Sequence, residues 1–225
     1  FAASVLARPD SRVMAVIGNG AQSDFQVLGF QKIVGIDTVR LYDVEPAATA
    51  RLARNLEGRG LNVVVCSSVA EACLGADIIT TITADKANAI VVTDDMIAPG
   101  VHINAVGGDS PGKTELDPAI LDRATVFVEL EEQTRIEGEI QRKSADFPVT
   151  HFWKVITAQA QGRTSAEQIT LFDSVGFALE DMSALRYMMD QARERGFGVP
   201  LDLIAHNEND PRDLFGLVKS PVLVG

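Results

Sequence analysis

Cysteine is nearly missing from this sequence: Cys66 and Cys73 are the only two in 225 residues. That is too few for a disulfide framework, and neither lies in a C-x-x-C or Cys/His cluster of the kind that holds zinc. Both are expected to be buried, reduced thiols. Histidine is scarce as well, and His102, His151 and His206 are scattered rather than set at ligand spacing, so no metal site is expected. Basic residues are in deficit, with 20 Lys+Arg against 31 Asp+Glu and a formal charge of −11. A surface of that sign repels phosphate backbones and anionic headgroups, which argues against nucleic-acid and membrane partners. No apolar run approaches the ~20 residues that span a bilayer, and no basic segment followed by an apolar stretch and a small-residue cleavage site opens the chain. A cytoplasmic location is the expectation. The opening residues, FAASVLARPDS, read as the end of a helix rather than the start of a domain, so upstream sequence is expected to be absent.

What the chain does have is apolar residue in ordinary globular amount, 46% hydrophobic against 23% charged, enough to close a sizeable core. Val13 to Ile17 is a short unbroken apolar run with β-branched members, the pattern of a parallel strand buried on both faces. A glycine turn follows, then an apolar stripe at helical spacing from Asp24 to Val34. Val39 to Tyr42 predicts the next strand, and Pro46 leads a helix of good formers that stops at glycine. Val63 to Cys66, a short helix around Val69 to Leu74, and the run Ile78 to Ile82 continue the alternation. His102 to Val106 predicts a fifth strand, Pro118 to Arg123 a helix, and Thr125 to Leu130 a sixth strand. This rhythm predicts an α/β fold: a doubly wound, Rossmann-type parallel sheet with part of a second, smaller domain. Residues 12–145 are expected to form the nucleotide domain, and 146–225 to supply segments returning to the second one. In that latter part Ile169 to Ser174 is strand-like and Gly176 to Arg195 helical. The acidic group Glu129, Glu131 and Glu132 reads as a solvated face.

Gly18-x-Gly20-x-x-Ser23 is a variant of the dinucleotide fingerprint, placed between a predicted strand and a predicted helix as its mechanism requires. The first glycine makes the tight turn, the second lets backbone approach a pyrophosphate, and a small third residue keeps helix and strand close. The helix start offers free N–H groups and a favourable dipole to that anion. Asp43 ends the second strand about twenty residues after the turn, where a carboxylate would bind the adenosine ribose and repel a 2′-phosphate. NAD is therefore favoured, although Arg40, Arg51 and Arg54 keep NADP open. Asp43 as the N-cap of the following helix is the simpler alternative. Thr83, just past the fourth strand, fits either a ligand contact or an ordinary turn. The loop from Asn104 to Glu115 is rich in glycine at the ligand-binding edge, and Asp109 within it could exchange protons with a substrate amine or hydroxyl. By composition alone, a turn residue is the favoured reading of Asp109.

The stretches IGNGAQS, LYDVEPAATARLARNL, ADIITTITADKANAIVVTDDMI, HINAVGGDSPGKTEL and QTRIEGEIQ strongly resemble the ornithine cyclodeaminase and mu-crystallin family, from about Leu6 to at least Ala184. The resemblance implies a homodimer whose nucleotide domain lies mid-chain. It also implies NAD contacts at Ala21, Gln22, Asp43, Thr83, the run Asn104, Ala105, Val106, Gly107, and Ser174. Asp109 matches the acid/base; Ser110, Lys113 and Val175 match positions near the substrate. The implied reaction takes a hydride from the α-carbon of L-ornithine, closes the ring through the δ-amine, releases ammonia and returns the hydride to give L-proline. Two alternatives stay open: an NAD(P)H-consuming amino-acid dehydrogenase or ketimine reductase on the same fold, and a non-catalytic binding protein of the mu-crystallin type.

Overall fold

The computed structural model describes residues 1–84 and 88–199. Its first half runs α1 (Ala2–Leu6), β1 (Val13–Ile17), α2 (Ser23–Ile33), β2 (Thr38–Tyr42), α3 (Pro46–Leu56), β3 (Asn62–Val65), α4 (Val69–Cys73) and β4 (Ile78–Thr81). There follow β5 (Asn88–Val92), β6 (His102–Ala105), β7 (Thr114–Leu116), α5 (Pro118–Arg123), β8 (Thr125–Val128), α6 (Glu131–Glu137), β9 (Thr150–His151), α7 (Phe152–Ile156), β10 (Thr170–Asp173) and α8 (Ala178–Arg195). His206 and the chain beyond Val199 lie outside the described residues, as do residues 85–87 within the third resemblance stretch.

Eight strands form one sheet in the order β3-β2-β1-β4-β6-β10-β8-β9, every pair parallel. The chain winds outward in one direction from β1 and then in the other from β4, so the switch point lies between them. The unbroken apolar runs have a clear cause, because alternate residues of one strand enter different cores. Met14 and Val16 join Val27, Leu41 and Leu52 on one face; Ala15 and Ile17 join Ile79, Ile103 and Leu171 on the other. Covering both faces leaves no position for a polar alternation.

Registers bring strand ends together. Ile17 pairs with Tyr42 and Thr81, Thr81 with Ala105, and Ala105 with Asp173. Gly18, Asp43, Ile82, Val106 and Ser174 therefore all leave the sheet at the same carboxyl edge.

One expectation is corrected here. The strand-like run after Ile169 was placed with segments returning to a second domain, but β10 lies inside the sheet between β6 and β8. α1 and α7 also cover the sheet, through Leu6, Phe152, Phe127 and Phe172. The sheet thus takes β9 and β10 from beyond residue 145, because closing its second half needs a strand that local pattern cannot order. Residues Phe1–Phe177 form one compact unit, and α8 belongs to a second. β5 and β7 pair in a separate two-stranded sheet that the sequence reading missed. Among the described residues no helix is long and apolar enough to cross a membrane.

Cys66 and Cys73 are free and buried, and burial pushes the Cys73 thiol up to about 12. His102 is a core histidine: its Nδ1 lies 2.9 Å from Thr170 Oγ1, and burial pushes it down to about 3, so it is neutral.

Candidate active site

At the carboxyl edge Gly18, Gly20, Asp43 and Thr83 line a single cavity of ≈ 470 Å³, with Ile17, Tyr42, Val44, Val69 and Ile90 among its apolar walls. The glycine turn is built for this place. Gly18 sits at φ +95°, and a β-carbon there would lie 2.7 Å from the Ile82 carbonyl oxygen; glycine is required both for the backbone angle and for the approach of β4. A β-carbon on Gly20 would meet nothing within 4 Å. Its missing side chain leaves open space beside the start of α2, the cradle a pyrophosphate needs. Ser23 takes the third fingerprint position, fully buried, and donates its hydroxyl to the Gly20 carbonyl at 2.6 Å. Ala21 and Gln22 follow at the exposed helix start, Gln22 as the N-cap residue.

Asp43 is not the cap of α3. Glu45 is, its carboxylate accepting the Ala47 N–H at 3.2 Å. Asp43 instead accepts the Asn19 N–H at 2.5 Å and the Glu45 N–H at 2.8 Å, one on each oxygen. A carboxylate has about four acceptor sites, so both oxygens keep lone pairs for ribose hydroxyls. Two of the arginines that left NADP open are committed elsewhere. Arg51 holds Asp24 at 3.0 Å and the carbonyls of Asn19 and Gly20, while Arg40 donates to the carbonyls of Ala72 and Glu71. The residues present fit a dinucleotide with a free 2′-hydroxyl.

The neighbouring loop carries Asp109. Val106 and Gly107 each donate an N–H to the Thr81 carbonyl at 3.0 Å, which folds the chain after Asn104 and Ala105 across the end of β4. Ser174 donates its N–H to the Ala105 carbonyl at 2.9 Å, bringing the chain after β10, and Val175 with it, to this edge. Asp109 is exposed, and its Oδ1 receives the buried Lys113 ammonium at 2.9 Å. The turn between them, through Ser110 and Gly112, is fixed by Gln141: its amide nitrogen donates to the Lys113 carbonyl at 3.0 Å, and its oxygen accepts the Gly112 N–H at 2.7 Å. Gln141 closes the stretch QTRIEGEIQ, but its role depends on a turn some thirty residues away and is not readable from local pattern.

Three buried carboxylates that the sequence reading missed stand behind this edge in a connected series. Asp173 accepts the N–H groups of Glu139 and Ile140, each at 3.0 Å. Glu139 accepts those of Glu115 and Leu116, at 2.7 and 3.1 Å. Glu115 accepts the Thr83 N–H at 2.7 Å and its hydroxyl as well. Glu129 is corrected too: it is no solvated acid but takes the Ser174 hydroxyl at 2.9 Å and the Gly176 N–H at 2.8 Å, and burial pushes it up. An acid ending an apolar strand, as Asp173 does, was the available signal.

Burial pushes Glu139 up to about 8, with Asp173 adding to the rise and the Glu115 and Leu116 N–H groups opposing it. Burial likewise lifts Asp173 to about 7 against its two N–H partners. Acids raised in this way keep their protons longer in the native state, so their stabilising contribution is complete below the unfolded values near 4 and is lost as pH rises through 7 to 8. The urea midpoint should therefore fall between pH 5 and pH 8, the slope reaching about 1.4 kcal/mol per pH unit for each proton difference. Glu139→Gln is expected to flatten that fall; equal slopes in the two proteins would contradict the assignment.

The sequence profile of the ornithine cyclodeaminase/mu-crystallin family matches residues 1–196. Ornithine cyclodeaminase of Brucella suis biovar 1 is 58% identical over 217 residues, covering 96% of this chain and 60% of that protein. Alanine dehydrogenase of Archaeoglobus fulgidus is 34% identical over 205 residues, covering 88% of this chain and 62% of its own length. Among solved structures, an archaeal alanine dehydrogenase dimer with bound NAD matches with TM-score 0.83 at 33% identity, covering 90% of this chain and 64% of that one. A lysine cyclodeaminase described for recognition of L-lysine, L-ornithine and L-2,4-diaminobutyric acid matches with TM-score 0.83 at 33% identity, covering 94% and 62%. The chain thus spans about 60% of the length of these curated relatives.

Proposed function

Since the chain belongs to the ornithine cyclodeaminase/mu-crystallin family, we propose that its complete form is an NAD-dependent ornithine cyclodeaminase, a cytoplasmic homodimer converting L-ornithine to L-proline and ammonia. The level of identity with ornithine cyclodeaminases, across nearly the whole of this chain, carries the choice of reaction. The geometry supports the division of labour. Gly18, Gly20, Ala21 and Gln22 hold the pyrophosphate, Asp43 the adenosine ribose, and Thr83, Asn104 to Gly107 and Ser174 the nicotinamide end.

NAD, when bound, would supply a hydride acceptor that is regenerated within the same turnover. Asp109 takes and returns protons on the substrate amines, working from a loop at the same sheet edge. Lys113 sets its charge against that carboxylate, while Ser110 and Val175 flank the substrate. Ring closure is intramolecular, so holding ornithine in one orientation supplies much of the rate.

The test is to supply the full-length chain with L-ornithine and catalytic NAD. Proline and ammonia should appear in equal amounts with no accumulated NADH. NADH building up in step with amino-acid consumption would replace this reading with a dehydrogenase, and nucleotide binding without any turnover would replace it with a binding protein.

A further inference from the structure

We propose that Glu115 is a positioning residue for the nucleotide cavity, acting through Thr83 to fix the edge of β4 and to set which way the Thr83 hydroxyl can hydrogen-bond. The proposal rests on the NAD reading above and adds a residue and a role to it.

Glu115 is 1% exposed, and a buried carboxylate is costly unless something specific holds it. One oxygen of Glu115 takes both donors of Thr83, the N–H at 2.7 Å and the hydroxyl. Thr83 has then spent its only side-chain proton. Toward the cavity it lines, its hydroxyl can act only as an acceptor, matching a ribose hydroxyl or a carboxamide N–H on the ligand. The other Glu115 oxygen is buried with no partner. It faces Gly107, where any β-carbon would overlap the carboxylate. Glu115 thereby joins the two turns that leave β4 and β6, and sets how closely they approach.

Glu115 does not hold this position alone. Its own N–H is bound by Glu139, whose N–H is bound by Asp173. Each acid in the series receives the main chain of the next, so the strand end at Asp173 in the middle of the sheet is tied, in three steps, to Thr83 at the cavity wall.

The experiment uses the full-length chain and isothermal titration with NAD, beside thermal unfolding. Glu115→Gln keeps the shape but can present an amide donor to Thr83; Thr83→Val removes the hydroxyl, and Thr83→Ser keeps it. Glu115→Gln and Thr83→Val are each expected to weaken NAD binding about tenfold, roughly the worth of one charge-assisted hydrogen bond. The double variant should lose no more than either single one, and Thr83→Ser should bind within about twofold of the parent. Multiplicative losses in the double variant, or unchanged affinity in Glu115→Gln, would overturn the proposal. Should Glu115→Gln not fold, the Thr83 pair still decides: equal losses in Ser and Val overturn it, and rescue by Ser sustains it. If the parent chain itself binds no NAD, the underlying functional reading falls instead, and the two failures are distinguishable.

Discussion

Replacing Asp109 by asparagine in the complete chain is expected to cut ornithine turnover by roughly 10²- to 10⁴-fold, the usual worth of a general acid–base, while NAD affinity stays within about twofold. The separation follows from position. Asp109 lies on the turn after β6 and lines none of the cavity formed by Gly18, Gly20, Asp43 and Thr83. Its contact is with the Lys113 ammonium, 2.9 Å away, and asparagine keeps an oxygen for that partner, so the loop retains its shape. What asparagine loses is the capacity to take up a proton. Single-turnover kinetics beside NAD titration would check both halves. A loss of affinity equal to the loss of rate would show that Asp109 shapes the cavity rather than serving the chemistry.

The two glycines of the turn should respond in opposite ways. Gly18→Ala forces a side chain into φ +95° and 2.7 Å from the Ile82 carbonyl, which is backbone and has little room to move. Destabilisation of about 3 kcal/mol is expected, combining left-handed strain with an overlap inside the sheet edge, and it should be visible as a lowered urea midpoint without any ligand. Gly20→Ala meets nothing within 4 Å and should leave the midpoint almost unchanged. Its methyl group enters the space meant for the pyrophosphate, so its cost appears as weakened NAD binding, about tenfold or more, on the order of the 1.4 kcal/mol that one decade represents. If Gly20→Ala bound NAD as well as the parent, the cradle would have to lie elsewhere.

Much of the fold is legible in the sequence. β1 to β4 and α2 to α4 fall close to where apolar runs, Pro46 and glycine stops put them, because each is specified by neighbours a few residues away. The fingerprint was readable for the same reason: a strand, a turn and a helix are consecutive in the chain. Asp43 reads in the sequence either as a ribose ligand or as the cap of α3, and the capping bond of Glu45 rules out the second role.

Elsewhere the local pattern could not decide. β10 reads as a strand, but a parallel strand carries no mark of which neighbours it will pair with, and it enters the sheet between two strands that precede it in sequence. Glu129 reads as one acid of a surface group; only the return of the chain at Ser174 and Gly176 encloses it.

From its sequence alone this protein was determined to be a parallel α/β chain with a nucleotide turn, since periodicity and turn chemistry are properties of short segments. The tertiary structure decided the order of the sheet's second half, the Lys113 partner of Asp109, and the series Asp173, Glu139, Glu115. Acidic side chains of this kind are tolerated in the interior only where donors from distant segments converge on them, and such convergence exists only once the chain has folded.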